Sequence, residues 1–239
     1  MPRPALGRAP DAAEIEARVL YKDSLVLVID KPAGLPVHQG PGGGPNLEQS
    51  FVHLRYGLPR VPSLAHRLDR DTTGCLVLGR HPKALAKLGK IFAGGRARKT
   101  YWAVVRGRPA ADAGTVDAPL AKLTPKRGWR MVVDPAGQPA VTDYKVMGTS
   151  ADGAYAWLEL YPKTGRTHQI RVHCHELGCP IVGEPIYGRP DDSPEPEEVL
   201  HLLARSIELP LYPSREPVQV TAPPADHMLA LLRACGYQG

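Results

Sequence analysis

From His66 to Gly74 the sequence reads His-Arg-Leu-Asp-Arg-Asp-Thr-Thr-Gly. One histidine, two arginines and two aspartates within six residues exceed what a turn needs for solubility. Arg67 and Arg70 would hold Asp69 ionised, because neighbouring cations lower a carboxyl pKa. An ionised carboxylate is the form an aspartate nucleophile requires. Thr72, Thr73 and Gly74 suit a loop fixed by side-chain to backbone bonds. A surface turn laced with Arg–Asp pairs has the same composition, and for an arbitrary charged turn that plainer reading is preferred.

A second concentration of reactive side chains holds His168, His173, Cys174, His175 and Cys179. It invites a metal site, but the spacing is wrong. Thr167 reads as an N-cap, and Ile170, Cys174 and Leu177 form an i, i+4, i+7 stripe ending at Gly178, so the segment is expected to be a helix. On a helix no two of these histidines stand at i, i+4. Cys174 and Cys179 are not at a CxxC spacing either. No metal is expected.

The elements around Asp69 follow from hydrophobic patterning. Val19–Tyr21 and Leu25–Ile29 form a hairpin about Lys22-Asp23-Ser24, ended by Lys31-Pro32-Ala33-Gly34-Leu35-Pro36. Asn46 caps a short helix running to Leu54. Cys75–Gly79 is a buried strand, and His81–Phe92 an amphipathic helix with Leu85, Leu88 and Phe92 on its stripe, closed by Gly94-Gly95. Further strands are expected at Lys99–Val105, Val141–Met147 and Tyr155–Tyr161. Gly188–Glu198 is expected to be a loop, Val199–Arg205 helical, Ile207–Leu209 a short strand and Pro224–Cys235 a closing helix. Strands arrive in pairs without regular alternation with helices. The fold class is therefore α+β around a largely antiparallel or mixed sheet, not a doubly wound one.

The 239 residues are 43% hydrophobic, enough for a sizeable core, and wholesale disorder is excluded. Thirty Lys and Arg against 24 Asp and Glu give a net charge of +6, which favours a polyanionic partner. Basic side chains concentrate at Arg96-Arg98-Lys99, at Lys122 to Arg130 around Trp129, and at Lys163-Arg166-Arg171; such clusters suit the phosphates of a polyanion or a solvated charged face, and for Lys122 to Arg130 the two readings weigh equally. The four cysteines read as buried hydrophobes of a reducing compartment. No apolar run reaches the length of a membrane span, and residues 1–13 lack the apolar segment of a secretory signal. The expectation is a cytoplasmic monomer, with residues 1–13 a mobile tail and 14–239 one catalytic domain.

The run about Asp69 resembles the signature of the RluA-like pseudouridine synthases: His-Arg-Leu-Asp, a basic residue, Asp, Thr, Ser or Thr, and Gly. The resemblance is collinear over about residues 16 to 222. Lys31–His38 is similar to the family's first motif, and Lys99-Thr100-Tyr101 to the segment supplying its active-site tyrosine. Ala140–Tyr144 is similar to a later strand. Gly165–His173 followed by Gly178–Gly183 is similar to its third motif, and Leu200–Ala204 to Pro210 is a looser version of the terminal one. Departures are Thr73 for the commoner Ser, Glu184 for the usual Asp, and altered side chains at Leu203 and Arg205.

The resemblance implies a pseudouridine synthase fold with a central catalytic cleft and isomerisation of uridine in structured RNA, ribosomal or transfer, without metal or organic cofactor. It makes Asp69 the group that attacks the target uridine, Arg166 its charge partner and Tyr101 the ring stacked on the flipped uracil. Arg67 fills the gap left by the extruded nucleotide. Addition to the ribose and a glycal-type elimination both fit this assignment. His66, Arg70, Lys99, Ile170 and Arg171 complete the expected RNA-binding set. The short stretch before Val19 leaves no room for a separate N-terminal RNA-binding domain. Two other classes are weighed beside this one: an RNA-binding assembly factor on the same fold with lost chemistry, and a metal-dependent hydrolase centred on His168 to Cys179.

Overall fold

The computed structural model describes residues 8–40, 42–123, 130–188 and 198–239. In chain order its elements are α1 (Ala12–Glu16), β1 (Val19–Lys22), β2 (Val26–Lys31), a 3-10 helix (Leu47–Leu54), β3 (Ser63–Leu64), β4 (Thr73–Gly79), α2 (Pro82–Ala93), β5 (Arg98–Arg106), β6 (Ala113–Asp117), β7 (Leu120–Lys122), β8 (Met131–Val133), β9 (Val141–Thr149), β10 (Tyr155–Pro162), α3 (Gln169–Glu176), β11 (Leu202–Leu209), β12 (Val218–Thr221) and α4 (Asp226–Ala234). The pairs β1–β2, β2–β4, β5–β10, β9–β10 and β6–β9 are antiparallel, and with the helices they give the α+β class. Two compact units share the chain: residues 1–99 with 204–224, and residues 100–203 with 225–239.

In the first unit β2 lies between β1 and β4, and β4 lies beside β11. Val26 to Ile29 and Cys75 to Leu78 are buried on both strand faces, so both runs are continuously apolar rather than alternating. Each such side chain contributes about 1.5–3 kcal/mol through burial. The β2–β4 register pairs Val26 with Gly79 and Lys31 with Gly74, which brings the end of β2 to the start of β4. Helix α2 starts where His81 Nδ1 accepts the Ala84 N–H and Pro82 supplies a preset φ. Its buried stripe is Ala84, Leu88 and Ile91, rotated by one residue from the expected one. A Cβ on Gly79 would stand 2.6 Å from Leu85, so the missing side chain is what lets α2 close on β4.

Ordered structure begins before residue 14. Asp11 caps α1 in a reciprocal box with Glu14, and Ser50 donates to the Pro10 carbonyl at 2.6 Å.

In the second unit the sheet order is β5-β10-β9-β6, with β7–β8 as a separate hairpin. A core of Ala103, Val105, Leu158, Leu160, Ile170, Cys174 and Ile181 fills one face. A smaller cluster joins Leu120, Ala140, Val172 and Tyr187. All four cysteines are buried and reduced. None of the described helices is long and apolar enough to cross a membrane.

Two expected elements are corrected. Leu202–Arg205, expected to be helical, is the first half of strand β11, which continues unbroken to Leu209 and pairs with β12. Helix α3 begins one residue later than an N-cap at Thr167 implies: its N-cap is His168, which sits in the left-handed region at φ 54°. Most of the Gly188–Glu198 segment lies outside the described residues, as does the Trp129 cluster between Lys122 and Arg130.

Candidate active site

The Asp69 loop joins β3 to β4 and is held from inside by two side chains. The first is His66. Its ring stacks on Phe92 with centroids 4.8 Å apart, and its Nε2 accepts the Val77 N–H at 3.0 Å. The adjacent Ala65 N–H donates to the Val77 carbonyl, so backbone and imidazole together dock the loop onto β4. Burial, assisted by the charge of Lys99, pushes the imidazole down to about 4, so the ring is neutral and acts as an acceptor. His66 is half-buried, and its Nε2 anchors the loop to β4.

The second is Lys31, the last residue of β2 and fully buried. Its ammonium donates to the carbonyls of Pro32 at 2.8 Å, Arg70 at 2.7 Å and Thr72 at 3.0 Å, using all three of its protons. Burial pushes Lys31 down to about 7, against the opposing pull of Asp71 and Asp69. The loop backbone from residue 69 to 72 thus closes over a buried cation, with the Thr72 N–H returning to the Asp69 carbonyl at 3.2 Å. Thr72 and Thr73 are buried, and Gly74 takes φ 99° at the start of β4.

That frame decides which way the charged side chains face. Leu68 is buried, Asp69 half-buried, and Arg67 and Arg70 exposed. Arg67 Nη1 lies 3.4 Å from His38 Nε2, and Arg70 meets Asp71 at 3.3 Å. Lys99 is half-buried at the end of the same unit, and burial lowers its pKa. The first unit therefore gathers His66, Arg67, Asp69, Arg70 and Lys99.

Tyr101, Arg166, Ile170 and Arg171 belong to the second unit. Strand β5 sets Tyr101 opposite Leu160 of β10, packed against the core of that unit. Arg166 is exposed on the turn before α3, and its Nε donates to the Pro139 carbonyl at 3.1 Å. The buried amide of Gln169 builds this turn. Its oxygen accepts the Arg166 N–H at 3.0 Å and the Thr164 hydroxyl at 2.7 Å. Its nitrogen donates to the Val141 carbonyl and the Thr142 hydroxyl, both at 3.0 Å.

Arg171 is 3% exposed and grips Glu184 with two bonds of 2.7 and 2.5 Å. Glu184 also accepts the Ile186 N–H at 2.9 Å. This guanidinium is committed inside the unit, which corrects the expectation that it meets RNA. Ile170 is likewise a core residue at 7% exposure. His168 bonds the Tyr187 hydroxyl at 2.7 Å, and that oxygen takes the Met131 N–H at 3.0 Å. His173 meets the Thr142 hydroxyl at 2.8 Å and the Ala118 carbonyl at 3.1 Å. Burial lowers both imidazoles, His168 to about 3. Among the described residues no group of three or more His, Cys, Asp or Glu is arranged to hold a metal ion.

Sequence reasoning missed Lys31 and Gln169 as builders of the two turns. Their one signal was position: a lone lysine ending the apolar run Val26–Ile29, and a glutamine three residues after Arg166.

Comparisons with known proteins identify the family. The family model for RNA pseudouridylate synthase matches residues 25–176. A protein of Zymomonas mobilis named as an uncharacterized RNA pseudouridine synthase is 42% identical over 208 residues, covering 86% of this chain and 93% of that one. The "Ribosomal large subunit pseudouridine synthase D" of Nitrosomonas europaea is 37% identical, covering 93% of this chain and 66% of its own length. Among solved structures, human RNA pseudouridylate synthase domain containing 4 superposes with a TM-score of 0.76 at 27% identity, covering 93% of this chain and 94% of that one. With well over half of its length spanned by the family model and 93% of the chain covered by a matching fold, the chain belongs to the RluA-like family of RNA pseudouridine synthases, which are isomerases.

Proposed function

We propose that the protein isomerises particular uridines of structured RNA, ribosomal or transfer, with Asp69 as nucleophile. The carrying observation is the loop itself: a half-buried Asp69 carboxylate on a backbone that Lys31 and His66 hold from within. A carboxylate whose backbone is fixed keeps its attack geometry at little entropic cost. The net change breaks the N1–C1′ bond and forms C5–C1′, and the proton lost from C5 is balanced by one gained at N1. No oxidant, metal or co-substrate is required.

In this reading Arg166 has the role the resemblance gives it, the cation that favours the ionised form of the nucleophile. Tyr101 stacks on the uracil after it leaves the helix, and exposed Arg67 occupies the vacancy. Arg70 and Lys99 contact the surrounding phosphates. Ribosomal RNA leads as substrate because the Nitrosomonas europaea relative is named for the large ribosomal subunit.

The test is conversion of ribosomal and transfer RNA by purified protein, read as carbodiimide-dependent stops in primer extension. Asp69→Asn is expected to abolish conversion while RNA affinity stays within about threefold, since one neutralised carboxylate changes few phosphate contacts. An Asp69→Asn protein that still converts uridine at the parent rate would sink the assignment.

A further inference from the structure

At the end of β2 and β4 away from Asp69, the first unit holds a second group of cations and aromatic rings. Lys31 pairs with Gly74 beside the Asp69 loop, whereas Val26 pairs with Gly79 at the opposite end. Five residues of strand separate them, about 17 Å at roughly 3.3 Å per residue.

The framework at this far end is rigid. Asp23, in the β1–β2 turn, accepts the N–H groups of Leu25 at 2.7 Å and Val26 at 2.8 Å. It also accepts the hydroxyls of Tyr21 at 2.9 Å and Tyr212 at 2.7 Å. Burial alone would raise this carboxyl, but the four donors outweigh it and hold it below the ordinary range. Arg80, nine-tenths buried, donates to the carbonyl of Asp23 at 2.5 Å and to that of Arg55 at 3.4 Å, tying the turn to the segment that carries Tyr56.

On this framework each outer ring carries a cation. Lys22 Nζ stands 3.9 Å from the Tyr56 centroid. Tyr212 has Arg215 at 5.3 Å and Lys87 Nζ at 5.5 Å. Tyr56 is held at φ 46°, a left-handed conformation that bulky side chains rarely adopt and that clusters at functional places. Lys22, Arg55 and Arg215 are exposed and Lys87 is half-buried. Asp23 spends its carboxylate on hydrogen bonds, and among the described residues none of these four cations forms an ion pair with a carboxylate. A guanidinium held beside a ring is partly pre-oriented, and its plane and edges are what a nucleobase and a phosphate bind.

We propose that this face is a second docking surface for the substrate RNA. Lys22, Arg55, Lys87 and Arg215 take backbone phosphates of a segment flanking the target uridine, and an unpaired base stacks on Arg215. The inference rests on the reading that the substrate is RNA. The strand length gives it a consequence: an RNA too short to span both ends of β2 gains nothing from this face.

The test uses the full chain, a Lys22→Ala/Arg215→Ala double variant, and two RNAs carrying the same target, a minimal stem-loop and a long transcript. With the long transcript the variant is expected to raise Kd and KM about tenfold and to lower the slope of log Kd against log salt by roughly 1.5, as for two lost phosphates. With the stem-loop Kd and kcat are expected to match the parent. Equal Kd and salt slope for parent and variant on the long transcript would overturn the docking surface. So would an equal loss on both RNAs, or a fall in kcat alone, which would mark a structural role. The binding arm stands apart from activity: a parent that binds the long transcript through this face but converts no uridine would refute the chemistry alone.

Discussion

Replacing Lys31 by methionine tests whether a buried cation organises the Asp69 loop. Methionine fills a similar volume but donates nothing, so the carbonyls of Pro32, Arg70 and Thr72 lose their shared partner. Three bonds from a charged donor, at about 1.5–3 kcal/mol each, amount to roughly 4–9 kcal/mol. Removing a buried ammonium returns a desolvation cost of several kcal/mol. The expected net loss is about 2–4 kcal/mol at pH 7. The sign of the pH dependence is fixed by the direction of the shift. With Lys31 at about 7 in the folded protein and 10.5 as its ordinary value, the unfolded chain binds the extra proton between those limits. Stability contributed by this group therefore rises with pH across that window, by roughly 1 kcal/mol per unit, and is flat below it. Urea titrations at pH 6, 7.5 and 9 should show the Lys31→Met deficit growing from the first to the last. Below the melting range of the variant, kcat is expected to fall about 100-fold through displacement of Asp69 by about an ångström, with KM nearly unchanged. A variant as stable as its parent at all three pH values and equally fast would refute the reasoning.

The other turn has its own weak point. Glu184→Gln removes the carboxylate that grips the Arg171 guanidinium at 3% exposure, and should cost about 3–5 kcal/mol in denaturant unfolding; a loss under about 1 kcal/mol would mean that the carboxylate charge is not what holds Arg171. His66, held at about 4 against an ordinary 6.5, contributes stability that is complete above pH 6.5 and lost as pH falls toward 4. His66→Phe should cost about 1–3 kcal/mol at pH 7 by orphaning the Val77 N–H, and the gap to the parent should close on acidification. A gap independent of pH would count against the neutral-acceptor role.

How much of this was legible in the sequence depended on whether periodicity carried the information. The two buried strands and α2 announced themselves through apolar runs with breakers at each end. Leu200 to Ala204 did not. A run buried on both faces has no period, so it reads as helix or strand alike, and its place inside the sheet, with β12 paired to Ser206–Leu209, decides for a strand. The start of α3 was misplaced for a different reason: a histidine at φ 54° obeys no local propensity and is held by its bond to Tyr187 and by the neighbouring Gln169 turn. Lys31 was read as the end of a strand, because its burial depends on carbonyls 39 and 41 residues away. The Asp69 run itself was conspicuous, but composition could not say which of its charges face inward.

The two turns use the same device on unrelated elements. Lys31 ends a strand and Gln169 begins a helix, yet each buries a polar side chain whose hydrogen-bonding capacity is spent on backbone at the turn and on its neighbours. A turn held through its backbone leaves its arginines out of that support. Arg67 and Arg70 on one, and Arg166 on the other, are thereby left exposed on a fixed backbone. Half-buried His66 and buried Thr72, Thr73 and Arg171 belong to the supports instead. The charge density that marks both sequence runs is thus of two kinds, and burial separates them: only the outward set is available to a polyanion, and only the inward set should cost stability when removed.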